Sequence, residues 1–391
     1  MKRSIHRICC TVLVFVLIFN LFPTISLASS PEPADIDAEW SALSAMLSEI
    51  KGVYTEPVTG EYTSGVFNEK GDITTTWGVP NGPFMGNGEL LSVVGGTDQK
   101  LRIYLSHTGF WNSNPDGTRD EPMDNGKFNT SYPITFGGID ISINESNPSV
   151  FRLEQDILNA QVNANLAGNI KVNSWVMENE NTMVIEVSTT NDQPVPVTVS
   201  AWVPGDGYFP EPPNNYYPQP LNYPHSAGNN DNMMWVTRET ASTQNGKPTD
   251  WVVRLAMAVK VIGSDSNVEY SSETTDGPDK LRKASASFSV SADNPVKIVA
   301  VMRGGKDSTT FLEDALTRTE TINESDISAG LVEKQQFWKN YWLKSYVYLS
   351  DKRLRDYYYG SLYILGITNR EGKNPAGLWG FNTTDTPAWT G

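Results

Sequence analysis

Hydrophobic and polar positions change their spacing twice along the chain. Residues 35–51 (DIDAEWSALSAMLSEIK) put Ile36, Trp40, Leu43, Met46 and Ile50 at steps of three and four, the spacing of one face of a short amphipathic helix. From there to about residue 303 the period is two. Leu101, Ile103 and Leu105 alternate with polar neighbours, as do Ile139, Ile141 and Ile143, and Val195, Val197, Val199, Ala201 and Val203. Val253, Leu255, Met257, Val259 and Val261 form the longest such run, and Val296, Ile298 and Ala300 form another. Clusters of Gly, Pro, Asn or Asp bound each run, which predicts antiparallel strands with one buried face. Strands in such number with no helix among them predict a large β-sandwich. Within this region residues 204–232 (PGDGYFPEPPNNYYPQPLNYPHSAGNNDN) are too rich in Pro and Asn for a regular element. They predict a long loop, either a platform for a ligand or a surface insertion.

After Gly304-Gly305 the period becomes helical. Phe311, Leu312, Ala315 and Leu316 mark one helix. Ile327, Leu331, Trp338 and Trp342 lie on one stripe of the next, widened by Phe337 and Tyr341, and Leu354, Tyr358, Leu362 and Leu365 mark a third. The third helix is apolar on more than one side, as expected of a helix packed among other helices. The chain then closes on NPAGLWGFNTTDTPAWTG. One enclosed helix followed by a Gly- and Pro-rich loop has too few partners for a finished domain, so the sequence is expected to be a truncated one.

At the other end, Lys2, Arg3 and Arg7 precede an apolar run from Ile8 to Phe19 and then Ser26-Leu27-Ala28. This is the pattern of a secretory signal, and residues 1–28 are expected to be removed from an exported, extracellular protein. Cys9 and Cys10 lie inside the signal, so no disulfide is expected in the mature chain and a large core must supply its stability. The formal charge of −15 becomes more negative once the signal is gone. Such a surface repels nucleic acid and anionic membranes, and a neutral or weakly charged ligand is the easier partner. Eleven tryptophans in a chain rich in turn-formers fit sugar stacking, although core packing claims most tryptophans in any β-rich protein.

Candidate chemistry is sparse. Asp116, Asp120, Glu121 and Asp124 sit in a turn-rich polar stretch, where carboxylates are solvated and serve at most a cation. His107 and His225 lack the partner motif of a metal or nucleophile site, so no metal and no cofactor is expected. Gly86-Asn87-Gly88 lacks a phosphate-cradling pattern and predicts a tight turn between strands.

Two segments carry a family resemblance. Residues 80–114 (PNGPFMGNGELLSVVGG followed by LRIYLSHTGFWNSN) resemble the opening of glycoside hydrolase family 95, the α-L-fucosidase type, with a Gly-Asn-Gly turn, a strand, a Gly-Gly turn and a strand closed by Trp. Residues 335–389 (QQFWKNYW through TDTPAW) are similar to that family's linker, first barrel helix and Pro-x-x-Leu-x-Gly turn. The segment Leu105-Ser106-His107-Thr108-Gly109-Phe110-Trp111 departs from the Asn-Glu-Asp pattern of the fucosidase type, which points to a neighbouring subfamily. The resemblance implies a mainly β fold: a large antiparallel β-sandwich (super-sandwich), then linker helices and the first helix of a truncated six-hairpin (α/α)6 barrel. The expected boundaries are 1–28 signal peptide, 29–303 sandwich, 304–345 helical linker and 346–391 start of the barrel.

The same resemblance implies a secreted glycoside hydrolase acting on oligo- or polysaccharides. The family's paired asparagines and acidic catalyst fall after the segment matching Asp385–Trp389, so no catalytic residue is carried over. Carbohydrate contacts are expected at Trp379, Asn382, Asp385 and Trp389 on the first barrel loop, and at His107 and Trp111 at a sandwich strand end; packing roles are the alternative for all six. The rival function is a non-catalytic carbohydrate-binding or cell-surface module. A phosphorylase or a lyase of uronate polymers ranks last, because the chain is acidic and exported.

Overall fold

The computed structural model describes residues 35–58, 82–112, 132–144, 151–205, 223–244, 247–264, 266–276, 281–376, 381, 383 and 385. The expected signal and the carboxylates at 116–124 lie outside them. Among the described residues two large antiparallel sheets form. The first has the strand order β1 (Lys51–Tyr54), β8 (Arg152–Asp156), β9 (Gln161–Leu166), β10 (Ile170–Val176), β11 (Thr182–Ser188), β20 (Val296–Lys306), β17 (Val253–Ile262), β14 (Met234–Glu239), β13 (His225–Asn229). The second runs β18 (Glu269–Ser272), β19 (Leu281–Val290), β12 (Val195–Pro204), β7 (Gly137–Ile143), β4 (Lys100–His107), β3 (Leu90–Gly96), β2 (Phe84–Gly86). Two short ribbons pair β5 (Trp111–Asn112) with β6 (Tyr132–Pro133) and β15 (Thr243–Gln244) with β16 (Lys247–Pro248). The helices are α1 (Ile36–Ser48), α2 (Phe311–Thr321), α3 (Glu324–Lys344) and α4 (Lys352–Thr368).

The fold is therefore mainly β, a sandwich followed by helices, as the periodicity predicts. The alternating residues named above from β4, β7, β12, β17 and β20 all enter one core between the two sheets, with Met183, Ile185 and Val187 of β11 among them. The other face of the strands differs from the expectation, because it too is covered. On the first sheet, Ala256 and Ala258 of β17 pack against Ala315, Phe311, Leu312 and Leu316 of α2. Trp175, Met177, Val184, Val299 and Val301 pack against Ile322 between α2 and α3 and against Ile327 and Leu331 at the start of α3. Small side chains on β17 admit α2 closely, and burying both faces turns a half-polar strand pattern into a continuous apolar one.

On the outer face of the second sheet the cover is polar and aromatic. Arg102 donates from Nε and Nη2 to Asp140 at 2.8 and 2.7 Å, and Trp202 Nε1 donates to the same carboxylate at 3.0 Å. Burial pushes the Asp140 carboxyl up, but Arg102 and Lys100 more than reverse this and hold it below the usual carboxylate range. Trp202 lies on Gly138, where a Cβ would fall 2.5 Å from the ring, so only glycine fits.

Four local expectations are corrected. β20 continues through Gly304-Gly305 to Lys306, because both glycines adopt positive φ and Gly304 passes so close to Arg254 O that a Cβ would sit 2.0 Å away. Of the expected loop at 204–232, residues 206–222 lie outside the described residues, while His225–Asn229 form edge strand β13 against β14. On α1 the first named apolar residue, Ile36, is exposed while Leu43 and Leu47 are buried, and on α4 the buried positions are Tyr359, Tyr363, Gly366 and Ile367. Leu354 and Leu365, counted in the expected α4 stripe, are exposed, because the helix presents its tyrosines to Trp338 and Trp342 of α3.

α3 opens with a capping box: Asn323 Oδ1 accepts from Ser325 N at 2.8 Å and Asp326 N at 3.3 Å, and Asp326 accepts from Asn323 N at 3.0 Å. Its buried stripe holds a charge-bearing residue that periodicity does not reveal. Lys334 is enclosed and donates to the carbonyls of Asn159 and Ala160 at 2.7 and 2.8 Å. Burial lowers its pKa from 10.5 to about 7, although Glu178 and Asp156 pull the other way. A folded-state pKa below the unfolded value means that between pH 7 and 10.5 the unfolded chain holds a proton the folded chain lacks, so stability rises with pH across that window. Wild type should gain on Lys334→Met by about 1.4 kcal/mol per pH unit there, in urea unfolding followed by circular dichroism. A difference independent of pH would contradict this.

Candidate functional site

The Gly86-Asn87-Gly88 turn explains how helices and sandwich meet. Asn87 Oδ1 accepts from Glu89 N and Leu90 N at 3.1 and 2.9 Å, while its Nδ2 donates to Met177 O at 2.9 Å and Glu180 O at 3.1 Å. Gly88, at φ +85°, donates to Ile367 O at the end of α4 at 2.8 Å, and a Cβ there would meet Arg370 Cγ at 2.3 Å. The glycines are needed because the helix end sits directly on the turn. Tyr363 adds a second tie, donating to Phe84 O at 2.9 Å and accepting from Gln155 Nε2 at 3.1 Å; burial pushes its phenol up. Arg370 then pairs with Glu178 at 2.6 Å and lies 4.0 Å over the Phe337 ring, which fixes the segment that follows α4.

That segment forms one wall of a pocket of about 380 Å³. Its lining comes from three places: Thr108, Trp111 and Asn112 at the end of β4 and on β5, Asp250 and Trp251 just before β17, and Asn374 and Pro375 after α4. Trp111 is set by its own turn, with Nε1 donating to Thr108 O at 2.7 Å. Trp251 leans on the sandwich core, and the Lys306 ammonium lies 4.8 Å from its ring centroid. Two buried polar atoms of lining residues, Thr108 Oγ1 and Trp251 Nε1, have no hydrogen-bond partner among the described residues, although Thr108 is only 5% exposed. Buried hydroxyl and indole groups are normally bonded, so these two are exceptions within the pocket lining.

Of the residues expected to touch a sugar, Trp111 lines this pocket and His107 does not. The His107 ring is buried behind the Thr108–Trp111 turn, where Gly109 N donates to Nδ1 at 3.0 Å. Asp385 is fully enclosed at 0% exposure and pairs with Arg238, itself at 0%, through Nη1–Oδ1 and Nη2–Oδ2 contacts of 2.8 and 2.6 Å. Arg238 also donates to Thr135 O and lies 5.0 Å from the Tyr223 ring centroid, so Asp385 fastens the C-terminal segment to the sandwich instead of facing the pocket. Trp379, Asn382 and Trp389 lie outside the described residues. Asp250, Trp251 and Asn374 were missed by sequence reasoning. A readable signal existed: Trp251 directly follows a Pro-Thr-Asp turn, and Asn374-Pro375 stands inside the resembling C-terminal block.

No protein-family model and no curated protein matches the chain. Solved structures do. One described as a kojibiose phosphorylase from the human microbiome has a TM-score of 0.46 and 11% identity, covering 73% of this chain and 39% of that one. A family GH92 inverting mannosidase from Bacteroides thetaiotaomicron has a TM-score of 0.40 and 13% identity, covering 81% and 40%. A bacterial glucoamylase complexed with acarbose has a TM-score of 0.34 and 8% identity, covering 81% and 44%. The chain thus spans about two-fifths of the length of each of these carbohydrate-active proteins.

The Arg238–Asp385 pair gives a test of the assembly. Removing one charge leaves the other buried and uncompensated, so Asp385→Asn should cost about 3–5 kcal/mol in urea unfolding. A loss under about 1 kcal/mol would mean that the pair is not enclosed as described.

Proposed function

We propose that the chain is the sandwich-bearing part of an exported glycoside hydrolase of the family 95 type, and that the Trp111–Trp251 pocket is where it contacts carbohydrate. One observation carries this reading: the two segments that resemble the family, 80–114 and 335–389, are far apart in sequence yet supply Thr108, Trp111, Asn112, Asn374 and Pro375 to one pocket. The chemistry suits a sugar. Indole faces stack on the apolar face of a pyranose, and Asp250 and Asn374 supply acceptors and donors for its hydroxyl groups. An acidic protein with this lining favours a neutral sugar.

Hydrolysis needs a second group. Inverting glycosidases hold a general acid and a general base roughly 6.5–9.5 Å apart, and retaining ones use a carboxylate pair about 5 Å apart. Asp250 is the one carboxylate among the described lining residues. On this reading the chain binds and orients sugar, while acid and base belong to the barrel of the whole enzyme. The rival reading is a carbohydrate-binding module with no chemistry of its own.

The purified chain should bind neutral oligosaccharides in calorimetry and release no product from aryl glycosides. Trp251→Ala should weaken binding by roughly tenfold, about 1.4 kcal/mol, with the unfolding transition retained. Unchanged affinity in Trp251→Ala would remove the pocket from the account, and turnover by this chain would overturn the division of labour.

A further inference from the structure

His107 lies in the segment that departs from the fucosidase-type pattern, and the sugar pocket does not use its ring directly. Its surroundings nevertheless reach both walls of that pocket. Gly109 N donates to Nδ1 at 3.0 Å, so the ring is the tautomer with its proton on Nε2. Nε2 lies 3.9 Å from Glu89 Oε1, and Thr108 N donates to Glu89 O at 2.9 Å. Glu89 Oε2 accepts from Lys373 Nζ at 2.8 Å and from Asn181 Nδ2 at 2.8 Å. Lys373 immediately precedes Asn374, and a Cβ on Gly109 would come within 3.2 Å of Asn374 Nδ2, so the two walls touch at this point.

We propose that His107 is a positioning residue of the pocket. Its neutral ring accepts the Gly109 amide and so fixes the turn carrying Thr108 and Trp111, while Glu89 and Lys373 latch that turn to the wall carrying Asn374. The importance of this latch for ligand binding rests on the pocket reading above. The mechanism follows from donor counting. A second proton on the ring would occupy Nδ1, place two N–H groups face to face at Gly109, and delete the bond that shapes the turn.

The charged groups facing the ring are Glu89, from the turn between β2 and β3, and Lys373, from the segment after α4. Burial lowers the His107 pKa from 6.5 to about 4; Glu89 pulls upward and Lys373 downward. Burial pushes the Glu89 carboxyl up, but Lys373, His107 and Asn181 together bring it below its ordinary value. The closed turn therefore refuses a proton that the open turn accepts between pH 6.5 and about 4. As pH falls through that window the open form gains by up to roughly 300-fold.

The test uses the purified chain labelled with 15N at histidine and tryptophan. His107 should show the Nε2–H tautomer and titrate well below 6.5, and the Trp111 indole signal, assigned with Trp111→Phe, should shift with the same midpoint. In His107→Asn the amide oxygen replaces Nδ1 as acceptor and cannot take a proton, so the Trp111 signal should stay near its neutral-pH position at every pH. Lys373→Met removes the charge that opposes protonation, so both midpoints should rise together, bringing the transition clear of acid unfolding. An Nδ1–H tautomer, a Trp111 signal that ignores His107 titration in Lys373→Met, or a His107→Asn variant that titrates like wild type would each overturn the proposal. No ligand enters this measurement, so failed sugar binding would fell the previous reading and leave this one standing.

Discussion

Everything else in this protein depends on the middle strands of the first sheet, β11, β20 and β17, being apolar on both faces. The face turned to the second sheet is buried by the sandwich itself, but Trp175, Val184, Val299, Val301, Ala256 and Ala258 on the opposite face need a cover. Leaving such side chains in water costs about 25 cal/mol for each Å² of apolar surface, so the helices after β20 are drawn onto the sheet. α2 lies against the alanines, the start of α3 covers the larger residues, and α3 then carries Trp338 and Trp342 to the tyrosines of α4. The end of α4 is thereby set on the Gly86–Gly88 turn, and the segment after it becomes a pocket wall.

The path from that constraint to a binding site runs through polar groups rather than further apolar packing. Asn87 uses both ends of its amide to hold the turn, Glu178 receives Arg370 and Trp338, and Glu89 stands between His107 and Lys373. Each group is at least half enclosed and each has opposite partners, which is the condition under which buried polarity specifies an arrangement instead of merely costing energy. The pocket differs in its lining, which brings two indoles, Trp111 and Trp251, together with Thr108, Asn112, Asp250 and Asn374.

The sequence made the sandwich legible because the core face of each strand alternates strictly, as in Val195 to Val203, and alternation is a local signal. It made the three C-terminal helices legible for the same reason. What it hid was tertiary. The cover over Ala256 and Ala258 cannot be inferred from β17 alone, the buried face of α4 is chosen by α3 rather than by its own most aliphatic residues, and Lys334 reads as a surface charge until two carbonyls are found beneath it. Of the candidate site, Trp111 was visible as a strand-ending aromatic. Asp250 and Asn374 join it only because chain segments separated by more than a hundred residues converge, and no spacing in the sequence records that meeting.

The most direct measurement is a crystal structure of the chain soaked with neutral oligosaccharides. A pyranose ring stacked on Trp111 or Trp251, with a hydroxyl within hydrogen-bond distance of Asp250 or Asn374, is the predicted result. Sugar bound only elsewhere on the molecule, with this pocket holding solvent at saturating ligand, would contradict the account.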